Sequence, residues 1–261
     1  MKVGIVGCGT IGKELALFID KSKNFNLKYV YDIDDKATDG IINKLKDKPK
    51  FSSLNELIKN SELIIEAAGK SAVKEILKNA NLDKNNKKIL IMSTAGIIEN
   101  SDIIKKLQKC NIYLPSGAIS GLDSLKAVSG EITSLTLTTT KPINGLNNAP
   151  YIIKNKINLD KIKNKKMIFD GNLKQAIKEF PENINVAATI FLASKFNKIN
   201  IKIIVNPNAE TNTHNILCKG PFGIINTITE NMPSNNPKTS YLAILSAISA
   251  LKGLNNKIIV G

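Results

Sequence analysis

Three glycines near the start of the chain have the spacing of a phosphate-binding turn. Gly7, Gly9 and Gly12 follow an apolar stretch typical of a strand, and the apolar residues after them recur at helical spacing. A pyrophosphate needs bare backbone N–H groups at the start of a helix, where the helix dipole also favours an anion. In such a turn Gly7 permits the tight bend, Gly9 the close approach and Gly12 the packing of helix on strand. Loop glycines often match this spacing, so its context decides.

An aspartate further along the chain supports the same site. The segment LKYVYDID predicts a second strand ending at Asp32, about twenty residues beyond Gly12. A carboxylate there accepts hydrogen bonds from the adenosine ribose and repels a 2′-phosphate, although Asp32 could instead begin a turn with Asp34 and Asp35. We interpret the segment as a nicotinamide-dinucleotide site that favours NAD over NADP. Its candidate cofactor contacts are Gly7, Gly9, Thr10, Ile11, Gly12 and Asp32.

The one histidine of the chain, His214, is the candidate general acid–base. It lies in AETNTHNILC, among polar residues that follow an apolar, strand-like run. Imidazole titrates near neutrality, which suits a group that takes a proton from an amine or hydroxyl while a hydride departs. A lone histidine is more often structural, so this assignment depends on the dinucleotide site.

The elements that position these residues alternate between strand and helix patterns. SELIIEAAG and KKILIMSTAG predict strands on either side of a helix in SAVKEILKNA, which indicates an open, doubly wound parallel sheet of the Rossmann type. Loops at the carboxyl ends of such strands face the ligand, so their small residues are further cofactor candidates: Ala67, Ala68, Ser93 and Thr94. From about Leu114, threonine-rich alternation predicts a second, mixed α+β domain.

Composition narrows the class of protein. The 261 residues carry a net charge of +15, but the sequence contains no arginine, and its lysine-rich stretches lack interleaved aromatics, which disfavours nucleic-acid binding. We expect a soluble, cytoplasmic protein, because the sequence shows no signal peptide and no apolar run long enough to span a bilayer. The three cysteines show neither disulfide nor metal-ligand spacing.

Several longer stretches resemble the L-aspartate dehydrogenase family over essentially the whole chain: GCGTIGKEL, LPSGAISGLDSL, TTTKPINGL, FPENINVAATI, NTHNI and NMPSNNPKTSYLAILSAISAL. The resemblance implies NAD(P)-dependent oxidation of L-aspartate to iminoaspartate, which hydrolyses to oxaloacetate and ammonia or feeds quinolinate formation in NAD biosynthesis. It also implies a homodimer, with a Rossmann domain over residues 1–113 and 233–261 and a catalytic domain over 114–232. The C-terminal helix then returns to the Rossmann domain.

The resemblance also implies roles for individual residues. The family's active-site histidine falls on His214, and further cofactor contacts fall on Ala118 and Asn185. The amide of Asn185 suits the nicotinamide carboxamide, but the residue could equally cap a helix. Without arginine, the substrate carboxylates must meet other groups, and the shared motifs offer Lys141, Lys238, Thr239 and Ser240. Thr239 or Ser240 could instead cap the last helix.

Two rival functions are open from the sequence. One is a related small reductase, such as a dihydrodipicolinate reductase or a homoserine dehydrogenase, against which PSGAISGLD and NTHNI argue. The other is a non-catalytic NAD-binding sensor, against which His214 argues.

Overall fold

The structure is a computed structural model that describes residues 1–82, 86–181, 184–236 and 239–258. The chain forms two compact units, one from Met1–Pro115 with the segment that begins at Ile244, the other from Ser116–Ala243. The chain thus passes from the first unit to the second after residue 115 and returns to the first after residue 243, whereas the sequence predicted these boundaries after residues 113 and 232. The second division falls later because the backbone pairs Pro233 with Ser240, which folds this segment back within the second unit.

The first unit is built on a six-stranded sheet in the order β3-β2-β1-β4-β5-β6, with every pair parallel. This order is that of a doubly wound dinucleotide-binding sheet, so the predicted Rossmann architecture is confirmed. Its elements are β1 (Lys2–Val6), α1 (Thr10–Asp20), β2 (Asn26–Tyr31), α2 (Asp35–Ile42), β3 (Lys50–Phe51), α3 (Leu54–Asn60), β4 (Leu63–Glu66), α4 (Lys70–Leu82), β5 (Lys87–Ile91), α5 (Ala95–Glu99), α6 (Ser101–Ile104) and β6 (Cys110–Tyr113).

The core of the first unit explains its strand sequences. All four residues of β4 are buried, as expected for a central parallel strand covered on both faces. The C-terminal helix α11 (Tyr241–Gly253) contributes Ala247 and Leu251 to the same core cluster as Val3 and Leu15. The predicted return of this helix to the Rossmann unit is therefore confirmed.

The second unit has a mixed five-stranded sheet in the order β11-β10-β7-β9-β8, in which β7 and β9 run parallel and the other pairs antiparallel. This confirms the predicted second α+β domain. Its elements are α7 (Leu122–Ala127), β7 (Ser134–Lys141), α8 (Pro150–Lys154), β8 (Lys166–Asn172), α9 (Leu173–Glu179), α10 (Asn185–Ser194), β9 (Asn200–Val205), β10 (Asn212–Gly220) and β11 (Gly223–Asn231).

The two faces of this second sheet differ in character, because side chains alternate along a strand. Leu135, Leu137 and Thr139 of β7 are buried on one face, together with His214 and Ile216 of β10. The other face carries β11 side chains that remain open to solvent, with Ile224 66% and Ile228 62% exposed. The candidate chemistry therefore lies on the covered face.

Candidate active site

The glycine turn has the geometry that a pyrophosphate requires. Gly7 follows β1 with φ of +98°, and a Cβ on Gly12 would clash with the Gly7 carbonyl oxygen, so only glycine fits at either position. Gly9 is the N-cap of α1, and a Cβ there would meet no atom within 4 Å. Thr10 and Ile11 begin the helix beneath this open space. These residues fit the diphosphate of a dinucleotide.

Asp32 is joined directly to the glycine turn. It follows β2, and its Oδ2 accepts a hydrogen bond of 2.6 Å from the backbone N–H of Cys8. Its Oδ1 accepts from the N–H of Asp34, which in turn caps α2, so the alternative of an aspartate turn is also realised. The carboxylate is half-buried at the carboxyl end of β2, which places it beside the first turn of α1. This placement suits an adenosine ribose.

The loops after β4 and β5 are held together by a residue that the sequence analysis missed. Glu66, the last residue of β4, is fully buried. Its Oε1 accepts from the N–H groups of Ala68 and Gly69 and from the hydroxyl of Ser93, and its Oε2 accepts from the N–H of Ser93. An acidic residue at the end of an otherwise apolar strand is the signal that could have identified it.

Burial raises the pKa of the Glu66 carboxyl, while the hydrogen bonds from Gly69, Ser93 and Ala68 oppose the shift. Four donors around one carboxyl group satisfy its oxygens in place of water. The candidates Ala67, Ala68, Ser93 and Thr94 therefore lie in two loops with one common anchor, next to the glycine turn, since β1 pairs with β4 and β4 with β5.

His214 lies on β10, on the covered face of the second sheet. It is 6% exposed, and its Nδ1 is 3.0 Å from the hydroxyl oxygen of Thr139, its cross-strand neighbour on β7. The Thr139 hydroxyl can donate to Nδ1 or accept from Nδ1–H, and in the second case Nε2 keeps its lone pair. Thr139 therefore fixes the orientation of the ring.

The expectation that His214 titrates near neutrality is not met in this structure. Burial lowers the pKa of His214 to about 3, and the nearby positive charge of Lys141 lowers it in the same direction. The imidazole is therefore neutral at physiological pH. A neutral ring has the lone pair that a general base needs, and a pKa so far below neutrality makes it a weak proton acceptor.

The segments that carry Ala118 and Ser240 meet at a second residue that the sequence analysis missed. Asn231, the last residue of β11, donates from Nδ2 to the carbonyl oxygen of Ala118 and accepts at Oδ1 from the hydroxyl of Ser240. Ser120 also contacts Thr229, which lies opposite His214 on β11. The Ala118 loop, Ser240 and His214 therefore all lie at one end of the covered sheet face.

The remaining candidates are distributed around this sheet end. Lys141 ends β7, and its charge acts on His214. Asn185 is the first residue of α10, whereas the N-cap is Ile184, so the alternative of Asn185 as a helix cap is wrong. Thr239 precedes Ser240 and donates its N–H to Asn236, and Lys238 lies outside the described residues.

Comparison with known proteins decides the family. Residues 123–254 match the family model "Aspartate dehydrogenase, C-terminal", and residues 7–111 match "Homoserine dehydrogenase, NAD binding domain". The L-aspartate dehydrogenase of Methanocella arvoryzae is 40% identical over 100% of this chain and 99% of its own, and that of Nitrosopumilus maritimus is 40% identical over 96% and 95%. The chain belongs to the L-aspartate dehydrogenase family.

Solved structures agree with this family assignment. The aspartate dehydrogenase of Thermotoga maritima is 27% identical over 100% of this chain and 99% of its own, with a TM-score of 0.77. A myo-inositol dehydrogenase of Lactobacillus casei shares the fold, with a TM-score of 0.63 at 12% identity. The homoserine dehydrogenase model covers the NAD-binding half alone, whereas residues 123–254 match the aspartate dehydrogenase family, so the related-reductase alternative is set aside. The sensor alternative is set aside because the relatives that match over the full length are named as dehydrogenases.

In the ranges that the structure describes, no helix is both long and apolar enough to cross a membrane. Nor do the described side chains include a group of three or more histidine, cysteine, aspartate or glutamate residues placed to hold a metal ion.

The low pKa of His214 predicts a pH dependence of stability. Because the folded value of about 3 lies below the ordinary 6.5, the unfolded chain binds the proton first. The stability contribution is complete above pH 6.5 and is lost as the pH falls toward 3, at about 1.4 kcal/mol per pH unit. As the chain has 1 histidine, its ε1 proton signal reports on this group alone, and we expect no titration of the folded protein between pH 5 and 8. A midpoint near 6.5 in the folded protein would contradict the burial argument.

The anchoring role of Glu66 predicts that Glu66→Gln weakens both stability and NAD binding. Both Glu66 oxygens accept hydrogen bonds, so the NH₂ group of glutamine must replace one of them and face a donor. One hydrogen bond is then lost and a buried donor is left unpaired, which lowers the free energy of unfolding by about 1–3 kcal/mol. Urea unfolding and NAD titration measure the two effects. Glu99→Gln is the control, since Glu99 forms an exposed ion pair with Lys70 whose loss changes stability by less than about 1 kcal/mol. Equal behaviour of the two variants would show that Glu66 does not hold the loops.

Proposed function

We propose that this protein oxidises L-aspartate to iminoaspartate with NAD as the acceptor, and that hydrolysis to oxaloacetate and ammonia or use in quinolinate formation follows. The observation that carries the proposal is the buried, neutral His214, held by Thr139 beside the cation of Lys141 in the half of the chain that matches the aspartate dehydrogenase model. L-Aspartate supplies an amine that must lose a proton and two carboxylates that need a cation.

The chain's own residues account for the proton and the orientation. When bound, the nicotinamide accepts a hydride from the substrate Cα. His214 takes a proton from the substrate amine at Nε2, while Thr139 holds the ring through Nδ1. After it has released this proton to solvent, the same nitrogen takes a proton from the water that attacks the imine carbon. Burial keeps the base neutral until the proton arrives.

The carboxylates meet a different set of groups. Lys141 provides the cation for one carboxylate, at the end of β7. For the other we propose Lys238 and Thr239. The residue after them, Ser240, donates a hydrogen bond from its hydroxyl to Asn231 Oδ1. Ala118, whose loop the same asparagine holds, and Asn185 at the start of α10 are the proposed cofactor contacts from the second unit.

We also propose a cytoplasmic location and a homodimer. Cys8, Cys110 and Cys218 are all free thiols, which is the rule in a reducing compartment. The solvent-exposed face of the second sheet carries Ile224 and Ile228. In a homodimer, this face of each subunit would pack against the same face of the other subunit, and both would be buried.

Replacement of the base tests the proposed reaction. We expect His214→Ala to bind NAD with unchanged affinity, because the glycine turn and Asp32 lie in the other unit. Aspartate turnover should fall by about 10² to 10⁴-fold, chiefly in kcat, as for loss of a general base. NADH formation with L-aspartate and a panel of other amino acids measures it. A folded variant within a few-fold of the parent would show that His214 is not the base.

The charge of Asp32 predicts the choice of cofactor. Asp32→Asn keeps an oxygen for the N–H of Cys8 and removes the charge that repels a 2′-phosphate. We expect the ratio of kcat/KM for NADP to that for NAD to rise about tenfold or more, which corresponds to about 1.4 kcal/mol. The matched control is Asp34→Asn, which changes a neighbouring carboxylate that caps α2. A ratio that is the same in the parent and in Asp32→Asn would refute the assignment.

The homodimer predicts that a charge on the exposed sheet face separates the subunits. Ile228→Lys places an ammonium on that face, on the edge strand β11, and burial of the charge in an interface is costly. Sedimentation velocity should show a dimer for the parent and a monomer for the variant. Ile153→Lys is the control, because Ile153 is 67% exposed on α8. A monomeric parent would overturn the proposal.

A further inference from the structure

The covered face of the second sheet contains a buried acceptor for which no role has been assigned. Asn212 begins β10, two residues before His214, so the two side chains leave the strand on the same side. The Oδ1 atom of Asn212 is buried and has no hydrogen-bond partner among the described residues. An unpaired buried acceptor costs about as much as a lost hydrogen bond, so a site for a donor is indicated.

The asparagine opposite Asn212 shows that this oxygen is not simply part of a structural network. Asn212 pairs with Asn231 across the β10–β11 ladder. Both polar ends of the Asn231 side chain are used, by the carbonyl of Ala118 and the hydroxyl of Ser240. Of two asparagines in one cross-strand pair, one thus holds the surrounding segments together and the other leaves its oxygen without a donor.

Asn212 lies near the residues that are proposed to act on the substrate. A Cβ added to Gly145 would lie 3.4 Å from Lys141 Cδ and 3.9 Å from Asn212 Oδ1, so the lysine stem and the amide oxygen flank the same glycine. The charge of Lys141 also acts on the His214 ring. A cation for a carboxylate, a base and an unpaired acceptor therefore converge at one sheet end.

We propose that Asn212 binds the amino group of the substrate through its side-chain oxygen and so positions that group for His214. This inference rests on the proposed oxidation of an amino dicarboxylate. Carboxylates are acceptors only, so the amine is the one group of L-aspartate that donates to Oδ1. Because the stem of Lys141 and this oxygen flank the same glycine, a substrate carboxylate held by Lys141 would place the amine of the same molecule near Oδ1.

The test compares two ligands that differ by the amino group alone. Succinate has the two carboxylates of L-aspartate and no amine, so it serves as a competitive inhibitor that reports on the carboxylate contacts. Asn212→Leu removes the acceptor at similar size. We expect KM for L-aspartate to rise about 10- to 100-fold, the range for hydrogen bonds to charged groups, while Ki for succinate changes less than about threefold.

A second variant keeps the test decisive if Asn212→Leu does not fold. Asn212→Asp retains an acceptor oxygen and adds a charge that attracts an ammonium and repels carboxylates. Selectivity for L-aspartate over succinate should therefore stay at the parent value or rise. Asn155→Leu, an exposed asparagine at the end of α8, is the matched control and should leave both constants unchanged.

Each outcome bears on the inference in a defined way. An equal loss of aspartate and succinate binding in Asn212→Leu would assign Asn212 to a carboxylate, and unchanged constants would remove it from the site, so either result overturns the inference alone. Lower selectivity in Asn212→Asp would also overturn it. A parent protein that oxidises no L-aspartate would overturn the proposed function, and this inference with it.

Discussion

The conformation of two loops in the first unit depends on one buried carboxylate. Glu66 is fully buried, and burying an ionisable group without partners is costly. Its four hydrogen bonds come from two loops that are distant in sequence, so the carboxylate is satisfied only when the loops after β4 and β5 both have their native conformation. The β1–β4 pairing then sets this joint beside the glycine turn.

In the second unit, strand register determines which side chains lie together on the covered face of the sheet. Because side chains alternate along a strand, the β10–β7 register that places His214 opposite Thr139 also brings Asn212 to the same face. A slip of one residue would turn these side chains to the solvent-exposed face. The apolar residues that fix the register, such as Leu137 and Ile216, therefore also fix the orientation of the base.

The sequence was informative where function depends on backbone and local spacing. Gly7 and Gly12 were predictable because their constraint acts over a few residues of chain, and the structure shows it as positive φ and close approach. The position of Asp32 after the second strand followed from the same local pattern. His214 was identified because it is the one histidine of the sequence. Its neutral state could not be predicted, because it comes from burial in the folded protein. Its partner Thr139 could not be predicted either, because it is 75 residues away.

The residues that the sequence did not reveal act across long separations. Glu66 reads as an interruption of an apolar strand until the Ser93 loop is placed beside it, 27 residues later. Asn231 contacts Ala118 across 113 residues, and no local spacing encodes that contact. The resemblance to the family supplied Ala118 itself, whose backbone carbonyl, not its methyl group, is what Asn231 binds.

Two effects of different size determine the protonation state of the His214 ring. Burial is the larger cause that lowers the pKa of His214, and the charge of Lys141 is the smaller. A substrate carboxylate that pairs with Lys141 cancels the smaller cause and leaves the larger, so the pKa rises from about 3 while the ring stays neutral. His214, as the proposed base, would thereby become a stronger proton acceptor on substrate binding, because proton affinity increases with pKa. If Lys141 binds the substrate as proposed, the same lysine also links substrate binding to the proton affinity of His214.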